Sequence, residues 1–230
     1  MTHRDLAPIG VELLDDPGAD PALVRESLRN IARSNRWFGG VAAARFGVER
    51  LLASRPGRCF TLLDVGTGAG DIPAALARRY ARRGVELRTL GIERHPAAAR
   101  LARARGLPVV LSDARTLPFA SNAVDVVLLS QIAHHLGPGD IGALAREATR
   151  VARIGVVLAD LERSPVAALG FRVASRALGF DPATRSDGIT SLRRGFRGPE
   201  LTLLLARAGI TARVDRRPGW RLVATWTVGS

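Results

Sequence analysis

The stretch that most restricts what this chain can fold into is "LLDVGTGAGDIP", residues 62–73. A short apolar run holding a carboxylate, Asp64, passes straight into three glycines set two apart, Gly66, Gly68 and Gly70, and then into Asp71 and Pro73. The apolar run predicts a buried strand. Asp71 is placed to cap a following helix, and Pro73 sits in its first turn, where a missing N–H costs nothing. A backbone this bare can turn sharply and let a ligand approach main-chain N–H groups at the positive end of a helix. A plain tight turn needs fewer glycines. In the dinucleotide fingerprint G-x-G-x-x-G the third glycine would fall at position 71, which holds Asp, a carboxylate poorly suited to sit against a pyrophosphate. The loop therefore favours a ligand lacking phosphates.

After "RPGR", short apolar runs alternate with Ala- and Arg-rich helical segments, the signal for βαβ units and a parallel sheet. Strands are expected at 60–65, 86–92, 108–112, 124–130 and 154–160, with helices at about 71–83, 96–105 and 139–152 between them. Each connection is long enough for a right-handed crossover. A helix over 199–208 leads into "ITARVDRR", a "PG" turn and "WRLVATWTV", a hairpin signal, so the sheet should finish antiparallel. Ahead of the sheet, apolar residues recur at helical spacing in two stretches (Leu23, Leu28, Ile31; then Val41, Phe46, Leu51), broken at Gly39 and Gly40. Residues 1–20 read as an irregular, mobile lead. The expected fold is α/β: a Rossmann-like, doubly wound, seven-stranded sheet, mostly parallel with an antiparallel C-terminal hairpin, plus N-terminal helices.

A chain of 230 residues suits one such domain. Its net charge of +13 has the sign of a nucleic-acid footprint, but there is no Lys, so all 34 basic residues are Arg, scattered along the chain. With abundant Ala and Gly, that resembles the compositional habit of a GC-rich bacterial genome more than selection for phosphate contacts. Cys59 is the only cysteine, so no internal disulfide forms and a reducing compartment is the default. Acids and prolines stand where a signal peptide would carry its apolar run, and no window approaches the ~18 apolar residues of a membrane span. A soluble, cytoplasmic protein is expected.

Two more carboxylates stand at strand ends. Glu93, in "LGIERHP", lies 23 residues beyond Gly70, where a doubly wound fold places an acid that accepts hydrogen bonds from ribose hydroxyls. Asp113, in "VVLSDARTLPF", repeats the arrangement after the third strand and can receive an adenine amino proton, or simply cap a helix.

Taken together, "LLDVGTGAGDIP", "GIERHP", "SDARTLPF" and "VDVVLLSQIAHHL" resemble the motifs of class I S-adenosylmethionine-dependent methyltransferases, over roughly residues 55–230. The resemblance implies S-adenosyl-L-methionine as cofactor and S-adenosyl-L-homocysteine as product. It places the methionine part against Asp64, Gly66, Thr67, Gly68, Gly70 and Asp71, the ribose at Glu93 with Arg94 beside it, adenine at Asp113 and Ala114, and the methyl group near Ser130 and Gln131. "RNIARSNRWFGG" and "RSDGITSLRRGF" further resemble a bacterial subgroup of small-molecule methyltransferases, some associated with polyketide and phenolic-lipid pathways. There the N-terminal helices close over the cofactor, which makes residues 1–54 a helical extension or lid, Asn35 and Arg36 cofactor contacts and Trp37 a pocket residue. A homodimer through these helices stays open.

A hydroxyl acceptor must lose its proton, and His134 and His135 stand just after the fourth strand, at the edge where such sheets bind ligands. Adjacent histidines point differently and Asp160 is the only candidate third ligand, so a metal-independent reaction is expected. The segment at about 162–198 is long for a crossover and should cover the pocket mouth, with Phe171 facing a planar or lipidic acceptor and Arg193 or Arg194 meeting an anionic group. Absences narrow the acceptor: "SQIAHH" lacks the Asn/Asp-Pro-Pro-aromatic pattern of amino-directed DNA methyltransferases, there is no Lys for ribose methylation, and Cys59 precedes the first strand. The expectation is methyl transfer to a small molecule, first to a phenolic or polyketide hydroxyl. Carbon methylation of a quinone-type ring and a non-catalytic cofactor-binding module are the alternatives, and a nicotinamide oxidoreductase is more distant.

Overall fold

Strand β4 (Val124–Ser130) is buried at all seven positions, as a central parallel strand covered on both faces must be. The computed structural model describes residues 12–16 and 18–229 and places β4 mid-sheet. The order is β3 (Val109–Leu111), β2 (Glu86–Glu93), β1 (Cys59–Val65), β4, β5 (Ala152–Leu161), β7 (Arg221–Thr227) and β6 (Arg213–Arg217). The first five are parallel, and β7 runs antiparallel to both of its neighbours. This is the expected doubly wound sheet with its antiparallel end. Its strand order reverses between β1 and β4, so a crevice opens beyond their carboxyl ends.

Helices α3 (Asp71–Ala81), α4 (Pro96–Ala104) and α5 (Pro138–Val151) make the crossovers, and α8 (Gly198–Arg207) precedes the hairpin. Alternate residues of the strands enter opposite cores. Leu63, Val127 and Leu129 meet Leu144 and Leu205 on one face, whereas Leu62, Val126 and Leu128 meet Val48 and Leu76 on the other. Among the described residues no helix is long and apolar enough to cross a membrane.

The two N-terminal helices, α1 (Pro21–Trp37) and α2 (Gly40–Leu52), differ in burial. α2 lies on the sheet beside β5 and β7, so closely that a Cβ on Gly47 would stand 2.3 Å from Val157 and 3.1 Å from Val223. α1 projects toward the carboxyl edge, with Val24 and Leu28 packed on Ala69, Ala97 and Ala98. Between β5 and α8 the chain forms a helical hairpin, α6 (Pro165–Ala177) and α7 (Pro182–Arg194).

Some details depart from the sequence reading. Asp71 is the first helical residue rather than the cap, a place taken by Gly70 at φ +72°. β5 begins at Ala152, because a register irregularity between Val124 and Val126 lets it pair earlier. Leu13–Asp15 form a 3-10 turn held to the rest of the fold, not a loose lead; the remaining expectations for residues 1–11 and 17 lie outside the described residues.

Filling the α2–sheet contact should be costly, since stiff β-branched Val157 cannot swing away. Gly47→Ala is expected to lower stability by about 1–3 kcal/mol in urea denaturation.

Candidate active site

The loop after β1 takes the shape its glycines allow. Gly66, Gly68 and Gly70 all have positive φ (+73°, +55° and +72°), and a Cβ on Gly66 would lie 2.8 Å from Ile132. The N–H groups of Gly66 and Thr67 both donate to the Ile92 carbonyl at 2.9 Å, which folds the loop back over β2. Glu93, buried at the end of β2, clasps it from the other side: one carboxylate oxygen accepts the Gly68 N–H and the other the His95 N–H, each at 2.8 Å. Each oxygen retains a second lone pair for a ligand.

Around this loop opens a cleft of about 440 Å³, within the usual size of a small-molecule site. Its walls at one end are Asp64, Gly66, Thr67, Gly68, Asp71, Glu93, Arg94, Asp113 and Ala114 from the loops after β1, β2 and β3, with Leu28, Ile31 and Asn35 of α1. The other end is formed by Ser130, Gln131, Ile132, His134, His135 and Leu136 after β4, Leu161 of β5, Ser191 of α7, and Glu12, Leu14 and Asp15. Of the residues expected to form a cofactor site, all but Gly70 and Arg36 line this one cleft. Gly70 lies under the loop against Leu107, and the Arg36 guanidinium stacks over Trp37 at 5.9 Å.

Three buried polar atoms lining the cleft have no partner among the described residues: Asp64 Oδ1, Ser130 Oγ and His134 Nε2. Asp64 receives one hydrogen bond, 2.7 Å from the Thr67 hydroxyl, on its other oxygen. Burial pushes its carboxyl up to about 8 despite that bond, with Asp71 and Glu93 adding repulsion. An ammonium group entering here would satisfy the free oxygen and favour its ionised form.

His134 is the best-positioned side chain of the cleft. Its Nδ1 lies 2.7 Å from Asp160 Oδ1, and both side chains are buried. Asp160 also accepts the Leu161, Ala133 and His134 N–H groups at 2.7, 2.9 and 3.3 Å. Burial raises the Asp160 carboxyl, but the facing His134 and these hydrogen bonds outweigh it and hold the group below the ordinary range. An ionised carboxylate only accepts, so His134 donates through Nδ1, and in the neutral ring Nε2 is a bare lone pair in the cleft. Sequence reading weighed Asp160 only as a metal ligand or helix cap. The pairing of Ser130 with Ala159 across β4 and β5 is what brings it beside the residues following Ser130.

His135 faces elsewhere. Its Nδ1 is 3.3 Å from Asp15 and its Nε2 3.8 Å from Glu12, in a cluster completed by Arg194, which reaches Glu12 and Asp15 at 3.2 and 3.4 Å. Ser191 donates to Glu12 at 2.9 Å and the Leu13 N–H to Asp187 at 3.1 Å, so residues 12–15 are strapped to α7 across the cleft mouth. Glu12, His134 and His135 offer ligand atoms within 4.8 Å of one another, a grouping the sequence reading lacked because residues 1–20 were expected to be loose.

The residues expected to meet the acceptor lie apart from the cleft walls. Trp37 is exposed, Phe171 packs edge-on against Phe38 and Phe180 at 5.8 and 6.3 Å, and Arg193 lines a groove between α6 and α7. Arg194 secures the strap. A chain of hydrogen bonds missed by sequence reading runs beneath the cleft: Arg221 to Gln131 at 2.7 Å, Gln131 to Asn35 at 2.6 Å, and Asn35 to Asp71 at 3.0 Å. It fixes α1 to the glycine loop's helix.

Comparisons with known proteins agree with this fold. Residues 63–159 match the family described as "Methyltransferase domain". Two uncharacterized methyltransferases, from Mycobacterium sp. (strain JLS) and Mycobacterium avium (strain 104), are 41% and 38% identical over 98 and 106 residues, or 41% and 42% of this chain. The matches cover only 35% and 38% of the length of those relatives. Among solved structures, an S-adenosylmethionine-dependent methyltransferase from Aquifex aeolicus is similar over 91% of this chain and 98% of its own, at 18% identity and a TM-score of 0.61. The magnesium protoporphyrin IX methyltransferase of Synechocystis PCC 6803, with S-adenosylmethionine bound, is similar over 87% and 85%, at 12% identity and a TM-score of 0.57. The fold is thus the Rossmann-like fold of methyltransferases that use S-adenosylmethionine. Within it, residues 63–159 are similar in sequence to the methyltransferase domain family as well.

The raised Asp64 carboxyl has a measurable consequence. The folded chain keeps a proton that the unfolded chain releases near 3.8, so stability falls as pH rises from there to about 8 and levels off above. Asp64→Asn removes this slope. The variant should melt higher than the parent at about pH 9, with the difference shrinking toward about pH 5, in thermal melts without ligand.

Proposed function

We propose that the protein transfers the methyl group of S-adenosylmethionine to a hydroxyl oxygen of a small phenolic or polyketide-like acceptor, with His134 as general base. The bare Nε2 of His134, held toward the cleft by buried Asp160, carries this reading.

The residues present suit the cofactor. Glu93 has lone pairs left for a sugar diol, the glycine loop admits a phosphate-free chain against its backbone, and Asp64 Oδ1 lacks the cationic partner that an amino acid ammonium supplies. Asp113 stands at the rim, its carboxylate paired with Arg115 at 2.8 Å and half exposed, beside Ala114. When bound, the sulfonium supplies an electrophilic methyl group, and the protein's share of the work is to position and deprotonate the acceptor. In the proposed step His134 Nε2 takes the hydroxyl proton as oxygen becomes nucleophilic, and Asp160 stabilises the imidazolium that forms. Ile132, Leu136 and Leu161 give that end of the cleft an apolar lining that keeps water from the reacting oxygen. Leu28, Ile31 and Asn35 of α1 make the N-terminal helices a cover on the cofactor side. His135, engaged with Asp15 and Glu12, belongs to the strap.

Incubation with methyl-labelled cofactor and a panel of phenols should give a product heavier by one methylene, with the methyl on oxygen. A methyl mapped to carbon would replace this reading with ring methylation, and cofactor binding without turnover on any acceptor would replace it with a binding module. His134→Gln should lower kcat by about 10²–10⁴-fold while cofactor affinity by calorimetry is preserved. Asp160→Asn should also lower kcat, because an amide that donates to Nδ1 turns Nε2 into an N–H.

A further inference from the structure

The outer side of α6 carries Val166, Leu169 and Val173, which are 63%, 62% and 62% exposed. Positions i, i+3 and i+7 share one side of a helix, so these side chains form a continuous apolar stripe. The inner side of the same helix is committed to the fold, with Ala167 and Ser175 buried and Phe171 packed on Phe38 and Phe180. Next to the stripe, α6 and α7 enclose a groove of about 390 Å³ lined by Arg172, Arg176, Arg185 and Arg193, with no acidic residue in its walls. None of the four arginines is in an ion pair among the described residues. The acids of the hairpin are engaged elsewhere: Asp181 accepts from Thr184 and Asn30, and Asp187 from the Leu13 N–H.

An apolar stripe flanked by unpaired cations suits a surface that is apolar within and anionic at its boundary. A second copy of the chain would bring the same four positive charges to the contact, so the charges disfavour self-association through this face. We propose that the α6–α7 hairpin docks the protein on an anionic lipid surface, with Val166, Leu169 and Val173 entering the acyl boundary and Arg172, Arg176, Arg185 and Arg193 meeting headgroup phosphates. The same hairpin contributes Ser191 to the cleft wall, so docking would set the cleft beside the lipid boundary and admit an amphiphilic acceptor. Docking stands without the methyl-transfer reading, and its test needs no turnover.

The test is co-sedimentation of the full chain with vesicles of phosphatidylcholine alone and of phosphatidylcholine mixed with phosphatidylglycerol. Binding is expected to the mixed vesicles only, and to weaken with salt. Val166→Ser/Leu169→Ser/Val173→Ser and Arg172→Gln/Arg176→Gln/Arg185→Gln/Arg193→Gln should each cut it by about tenfold or more, with circular dichroism unchanged. A control, Arg78→Gln/Arg82→Gln/Arg146→Gln/Arg207→Gln, removes four charges from around α3, α5 and α8 and should bind like the parent. The proposal is overturned if the parent ignores the mixed vesicles, including where it binds an acidic peptide instead. Stripe variants that bind like the parent, or a control that loses as much as the groove variant, overturn it equally.

Discussion

The buried carboxylate of Asp160 organises one end of the cleft. An unpaired charge in so enclosed a place would be strongly destabilising, and the chain answers it with three backbone N–H groups, the His134 imidazole and the nearby positive charge of Arg221. Two of those N–H groups belong to the turn after β4, so satisfying the charge and shaping the turn are one event. Burial lowers Arg221 to about 10, opposed by Asp160, which still leaves it cationic near neutral pH. That guanidinium in turn holds the Phe38 carbonyl and the side chain of Gln131, a residue at φ +54°, where a non-glycine backbone is strained. The strain is sustained because the hydrogen bonds on both sides of Gln131 leave it no other place.

From this centre two kinds of attachment reach across the cleft. α1 is joined through amide hydrogen bonds of Gln131, Asn35 and Asp71, short and partly buried, which fix geometry. Residues 12–15 are joined through ion pairs to Arg194 and Arg94 and a contact with His135, side chains that are 15%, 54% and 26% exposed. The Arg94 pair, open to solvent, contributes little, whereas the Arg194 pairs with Glu12 and Asp15 are largely enclosed. Burial raises the Glu12 carboxyl, against the pull of His135 and Arg194, so the strap also retains an acid poorly suited to its place. One side of the cleft is therefore fixed by amide hydrogen bonds and the other by a cluster of charged side chains.

What was legible in the sequence follows from this division. The glycine loop, Glu93 and the closing hairpin are encoded within a few residues each, by steric permission, strand ends and turn chemistry, and their positions could be read in order. Asp160 acts on His134 only because β4 and β5 lie side by side, and Arg221 reaches Gln131 only because β7 adds to the far edge of β5. Nothing local marks such partners. Phe171 shows the converse: an aromatic in a covering segment suggests a pocket wall, yet its ring serves to seat the hairpin on Phe38. Charge and aromaticity say what a side chain can touch, and only the packing decides what it does touch.

The arginine-only composition becomes intelligible on the same terms. A guanidinium presents several donors in a rigid fork, so one side chain can close a loop by holding main-chain carbonyls. Arg33 holds Leu178, Arg103 holds Val109, Arg105 holds Ala69, Arg163 holds Gly195, and Arg150 holds both Phe119 and Leu117. Others meet carboxylates, as Arg153 meets Asp125 and Arg216 meets Glu162. Part of the basic charge is thus spread over loop closures, where these cations have a structural task. Against that background the α6–α7 groove differs in kind, because there the cations gather with neither a carboxylate beside them nor a loop to close.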